Sequence, residues 1–127
     1  MGEIDVIHLK GEMNMKNTTL PLNIVNKRME AHNQHNIESF LNTYSEDIQI
    51  YDYPDIPIGN KGKAHIEGIF KPLFEEKAVH TDIHHQIVNG NHVVNHETVI
   101  RNGIKSVYVS IYEIDNGLIK SVRFIKS

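Results

Sequence analysis

Five of the chain's nine histidines (His80, His84, His85, His92 and His96) crowd into residues 80–96. Histidine is the side chain whose ordinary pKa lies nearest neutrality, so this density points to proton transfer or metal ligation. His80, Asp82 and His84 fall at successive same-face steps of an extended chain, about 7 Å apart. At that spacing they cannot close a tetrahedron around zinc without a fourth group from a neighbour such as Glu97 or Asn95. No metal site is therefore expected, and these three residues are assigned to a polar outer face. Asp52 stands at the end of an alternating segment, just before Pro54. A carboxylate half buried in an apolar pocket is pushed up toward neutrality, which a general base needs. Tyr108, Ser110 and Tyr112 alternate and so share one face of a strand, where the two phenols can donate to a developing oxyanion. The chain has no cysteine, which excludes thiolate nucleophiles, thiolate zinc sites, iron–sulfur clusters and disulfides.

Composition bounds the rest. The formal net charge is −3 and no window is crowded with Lys and Arg, so a phosphate-tracking nucleic-acid surface is not expected. No apolar run approaches the roughly 20 residues that span a bilayer, and the start, Met1 to Val6, is acidic and lacks a hydrophobic export segment. A cytoplasmic protein with no membrane partner is the expectation. At 127 residues and 39% apolar, the chain can build one two-layer core.

The elements that must position these groups can be read from period and punctuation. Residues 1–19 have no sustained period and predict a loosely attached arm, leaving 20–127 as a single domain. Leu22, Val25, Met29 and His32 recur at helical spacing behind Thr18, Thr19 and Pro21, which predicts a first helix to about Asn33. Asn36 can cap a second helix with Ile37, Phe40, Leu41 and Tyr44 on one face, ended by Ser45-Glu46-Asp47. Ile48, Ile50 and Asp52 alternate as a strand until Pro54 and Pro57 remove ladder donors. Ile66, Ile69, Phe70, Leu73 and Phe74 form the strongest helical stripe, with Pro72 expected to kink it or begin a new turn. Four strands then follow, at roughly 79–88, 92–101, 104–114 and 118–126, divided by Asn89-Gly90-Asn91, Asn102-Gly103 and Asp115-Asn116-Gly117. The class is α+β, with three helices on one face of a curved antiparallel sheet.

In this order of elements, several strings resemble the nuclear transport factor 2-like superfamily, in its SnoaL-like and ketosteroid-isomerase-like branch. The likeness runs from about Leu22 to Ile125. It is carried by the helix–helix corner from Glu30 to Leu41, by Tyr44-Ser45-Glu46-Asp47-Ile48 at the start of strand one, by Gly62-Lys63-Ala64-His65-Ile66 opening helix three, and by the last hairpin, Asp115 to Ile119. The resemblance implies a cone-shaped (cystatin-like) sheet wrapped around the long third helix, a pocket between its concave face and the helices, and a homodimer through the outer sheet face. Val107, Val109 and Ile111 lie on that outer face, and Arg123 alternates outward.

The resemblance also implies roles. The isomerases' proton-shuttling carboxylate falls on Asp52 counting forward from the helix corner, and on Tyr53 counting back from Gly62. Their oxyanion-hole tyrosine and protonated aspartate correspond to Arg28 and Ser110, so steroid isomerisation does not carry over. The family register turns His96 inward opposite Asp52, where the two would form an acid–base pair, and His85 joins that face with Thr81, Ile83 and Ile87. The function implied is that of a cofactor-independent acid–base enzyme of isomerase, cyclase or lyase type, acting on a small apolar carbonyl compound. Asp52 and His96 would move protons, Tyr108 or Tyr112 would polarise the carbonyl, and His32, Tyr53, Phe70, His85 and Ser110 would contact the substrate. The alternative is a non-catalytic ligand-binding or dimerisation module, its cone filled by Phe70, Phe74 and Tyr112. A cavity of roughly 300 Å³ or more with both Asp52 and His96 on its wall favours the enzyme.

Overall fold

The computed structural model describes residues 21–127, and the arm expected over 1–19 lies outside them. Helix α1 covers 21–33 of the described residues, with Val25, Arg28, Met29 and His32 buried along one face. Helix α2 (Ile37–Leu41) is capped by Asn36, whose side-chain oxygen accepts from the Ser39 N–H at 3.1 Å. Tyr44 does not continue this helix. The chain turns at Asn42 and Thr43, where the Thr43 carbonyl accepts from the Ile119 N–H at 2.8 Å, and Tyr44 already begins strand β1 (Tyr44–Asp52). That tie to the last strand ends the helix earlier than its apolar stripe suggests. Tyr44 remains in the core, edge-on to Phe40 at 5.2 Å.

A two-residue strand β2 (Ile56–Pro57) folds back on β1, so the proline segment makes a short edge hairpin. Helix α3 (Lys63–Glu75) runs through Pro72 without interruption and buries Ile66, Phe70 and Phe74, with Ile69 and Leu73 partly buried beside them. Strands β3 (Val79–Asn89), β4 (His92–Arg101), β5 (Ile104–Asp115) and β6 (Leu118–Lys126) form the antiparallel meander. Two of its turns are two-residue Asn-Gly loops in which both residues take positive φ, at 102–103 and 116–117, the conformation that matches strand twist. The curved sheet has the order β2-β1-β6-β5-β4-β3, and β1 pairs with β6 in parallel. The core lies between its inner face and the three helices, with Phe40, Phe70 and Phe74 in mutual ring contact.

Two features of register decide which side chains meet. Across the Asn102-Gly103 hairpin, Glu97 pairs with Tyr108, Asn95 with Ser110 and Val93 with Tyr112, and directly opposed residues share a face. A bulge between Ile83 and His85 breaks the alternation of β3, and beyond it His85 pairs with His96.

Candidate functional site

A cavity of about 180 Å³ opens between α1, α3 and the inner face of the sheet. Ile50, Ile58, Ile66, Ile69, Phe70, Val99 and Phe124 give it apolar walls, joined by Tyr108. Arg28, His32, Tyr44, Thr81 and Glu97, all buried, bring polar atoms to it, and the exposed Asp52 and Arg101 mark its opening.

Arg28 is held by aromatic groups. Its Nε donates to the Tyr44 hydroxyl at 2.8 Å, and its guanidinium carbon lies 5.1 Å from the Phe40 ring centroid and 5.4 Å from that of Tyr112. Among the described residues no carboxylate comes within ion-pairing distance of it. Burial works against its charge, but the surroundings of Tyr112, Tyr44 and Glu97 more than offset that, so its pKa sits above its ordinary value. Glu97 is 2% exposed. Its Oε2 accepts from the Ser110 hydroxyl at 2.8 Å, and the Asn95 amide lies 3.4 Å from Oε1. A cation and a carboxylate therefore face one small cavity, each braced by neutral groups rather than by the other.

His32 lies among Phe40, Phe70 and Phe74, with ring centroids 5.7–5.9 Å away. Burial, and then the charge of Arg28, drives its pKa down from 6.5 to about 3, so the ring is neutral at ordinary pH. Its tautomer follows from its neighbour. Asn33 donates through Nδ2 to the Thr81 carbonyl and accepts through Oδ1 from the Thr81 N–H, both at 2.9 Å, which fixes the amide's orientation. The His32 Nδ1, 3.0 Å from that same Oδ1, must donate, leaving Nε2 with its lone pair.

The predicted residues divide accordingly. Asp52, Tyr108, Phe70 and His32 line the cavity. Ser110 stands behind the wall as the hydroxyl that holds Glu97. Tyr112 is fully buried behind Arg28, its hydroxyl without a hydrogen-bond partner of good geometry among the described residues and its pKa pushed well up by burial, so it packs the core and does not line the cavity. Tyr53 is 53% exposed and lies off the cavity.

His96 does not face inward. It is exposed on the outer face beside His84 and His85, and the cavity-facing residues of β4 are Glu97, Val99 and Arg101. His85 is likewise outside, because the bulge reverses its side. The His85 and His96 rings are parallel within 9° with centroids 5.7 Å apart, yet their Nδ1 atoms are 3.4 Å apart, so the rings meet edge to edge. Asp52 and His96 therefore stand on opposite sides of the sheet. His80 reaches Asp82 at 2.9 Å and His84 reaches the Thr98 hydroxyl at 2.7 Å, both on the exposed side. Among the described residues, no three His, Asp, Glu or Cys side chains are arranged to hold a metal ion, and no helix is long and apolar enough to cross a membrane. Arg123 lies outward as expected, pairing with Asp55 at 2.9 Å and covering the Tyr51 ring at 4.4 Å.

Glu97 and Arg28 are the site residues that sequence reasoning missed. The signal for Glu97 was present: a two-residue turn at Asn102-Gly103 makes Glu97 the partner of Tyr108, so an inward Tyr108 requires an inward Glu97 and an outward His96. Arg28 carried a signal too, since the resemblance sets it at the position of the isomerases' oxyanion-hole tyrosine, but the change of residue type left it without a role.

The SnoaL-like domain family matches residues 25–122 of the chain. Among curated proteins none matches it in sequence. Solved structures with the same fold include an NTF2-like protein of unknown function from Cytophaga hutchinsonii, with a TM-score of 0.73, 16% identity, and 84% of this chain and 89% of that one covered. An uncharacterized cystatin-fold protein from Novosphingobium aromaticivorans has a TM-score of 0.75 at 18% identity, covering 83% and 97%. An LEH-like epoxide hydrolase from M. tuberculosis has 0.72 at 16%, covering 87% and 84%. At these identities the likeness establishes the fold and leaves the chemistry to the residues present.

Proposed function

This chain belongs to the SnoaL-like domain family, within the nuclear transport factor 2-like superfamily, and we propose that it binds a small carbonyl compound in the cavity and transfers a proton next to that carbonyl. The observation that carries this reading is the presence of Arg28 and Glu97 on one wall system without an ion pair between them. Arg28 donates a hydrogen bond to the carbonyl oxygen. Glu97 takes the adjacent proton, the C–H electron pair moves into the new C=C bond, and the charge that develops on oxygen lies against the guanidinium. Return of the proton at another carbon completes an isomerisation without any co-reactant. In this reading Asp52, at the opening, exchanges protons with solvent, Tyr108 and Phe70 shape the wall, and the neutral His32 offers an acceptor at Nε2.

A second reading, binding without turnover, is favoured by the cavity's size. At about 180 Å³ it is smaller than the ~300–1,000 Å³ of ordinary small-molecule sites. Incubating the protein with small ketones and hydroxyketones in heavy water, and following their α-proton signals by NMR, separates the two. Exchange above the buffer rate supports proton transfer. Binding without exchange supports the module.

A further inference from the structure

The charges around the cavity balance at each depth. Arg28 and Glu97 face its interior and Asp52 and Arg101 its opening, while the His32 ring on the interior wall is neutral. A carboxylate entering beside Glu97 would leave one buried negative charge without a partner, and an amine would do the same with a positive one. The hydrogen-bonding capacities are also complementary. The guanidinium can only donate, and its Nε is already committed to Tyr44. The carboxylate oxygens of Glu97 are acceptors, approached by the Ser110 hydroxyl at 2.8 Å and the Asn95 amide at 3.4 Å. The remaining wall is largely aliphatic and aromatic, with His32, Tyr44, Thr81 and Tyr108 adding polar side chains. A volume of about 180 Å³ holds at least about six non-hydrogen atoms if each takes no more than a liquid water's share of roughly 30 Å³.

We infer that the ligand of this cavity is an uncharged molecule presenting a hydrogen-bond acceptor to Arg28 and a donor to Glu97 on a compact branched body, as a carboxamide or a vicinal hydroxyketone does. The inference rests on the cavity being the functional site proposed above. Discrimination comes from what is left unpaired: a ligand lacking the donor strands the Glu97 oxygen, and a ligand carrying its own charge upsets the balance.

The probes are three isosteres, isobutyramide, isobutyrate and 3-methyl-2-butanone, titrated into isotope-labelled protein at neutral pH and followed by NMR. Isobutyramide is expected to bind at least about tenfold more tightly than either of the others, with the Arg28 Nε–H resonance among those that move. Isobutyrate binding as tightly as the amide overturns the inference, and so does the ketone binding as tightly; either result leaves the cavity's role as a binding site standing. If none of the three binds, the cavity reading itself fails and the inference with it. Glu97→Gln, which keeps a partner for Ser110 while removing the charge, is expected to shift preference toward isobutyrate by about tenfold. An unchanged preference in a variant with wild-type thermal unfolding overturns the inference, and the wild-type titrations decide it alone if that variant does not fold.

Discussion

His32 makes the fold acid-sensitive in a calculable way. Its folded pKa of about 3 lies below its ordinary 6.5, so between those values the unfolded chain takes up a proton that the folded chain refuses. The stability involved is fully present above pH 6.5 and is lost as the pH falls. At about 1.4 kcal/mol per pH unit, moving from pH ~7.5 to pH ~5 removes about 2 kcal/mol through this one ring. A glutamine at this position carries no titratable group. Urea unfolding of the wild type and of His32→Gln at both pH values should therefore give a smaller loss in the variant, by about 2 kcal/mol, whatever the substitution costs at either pH alone. The other ionisable side chains are common to both proteins, so the difference between the two losses isolates the contribution of His32 and its couplings. Equal losses would refute the reasoning and mean that His32 is protonated in the folded state, or that its Phe40, Phe70 and Phe74 surroundings are wetter than described.

Phe70→Ala should cost about 3–5 kcal/mol in denaturant unfolding, since Phe70 is 7% exposed and packs against Phe40 and Phe74; a loss below ~1 kcal/mol would contradict its place in the core. Asp52→Asn should leave the ring titration of His96 unmoved by proton NMR, because the two lie on opposite sides of the sheet; a lowered His96 pKa would put them together. The outer face carries Val107 at 36% and Ile125 at 39% exposed, and we propose that it pairs in a homodimer. Sedimentation at micromolar concentration should give about 29 kDa, twice 14.6 kDa, and a monomer would remove the proposal.

The meander was legible because an Asn-Gly pair stands at each of its three turns, and two of these turns hold both residues at positive φ, so hairpin positions followed from turn chemistry alone. The stripe from Ile66 to Phe74 identified the central helix for the same kind of local reason. Faces were harder to read. In β4, Val93, Asn95, Glu97 and Val99 alternate with Val94, His96, Thr98 and Ile100, two sets of similar apolar content, so period alone cannot say which is inside. The turn at Asn102-Gly103 does say it, through the pairing of Glu97 with Tyr108. The reversal at His85 had no such signal, because a bulge is set by how β3 fits the curved sheet and leaves nothing regular in the sequence. Tyr44 was assigned to the wrong element because its contact with Phe40 is as compatible with a helix stripe as with a strand that starts early.

The proposal turns on Glu97 as the group that takes the proton. The α-proton exchange of whichever compound the cavity binds should be measured for wild type, Glu97→Gln, Asp52→Asn and His96→Gln, all checked for native unfolding. The account predicts that Glu97→Gln lowers the exchange rate by about 100-fold or more, that Asp52→Asn lowers it less, and that His96→Gln leaves it unchanged. Wild-type exchange in Glu97→Gln, with the rate lost in His96→Gln, would contradict it.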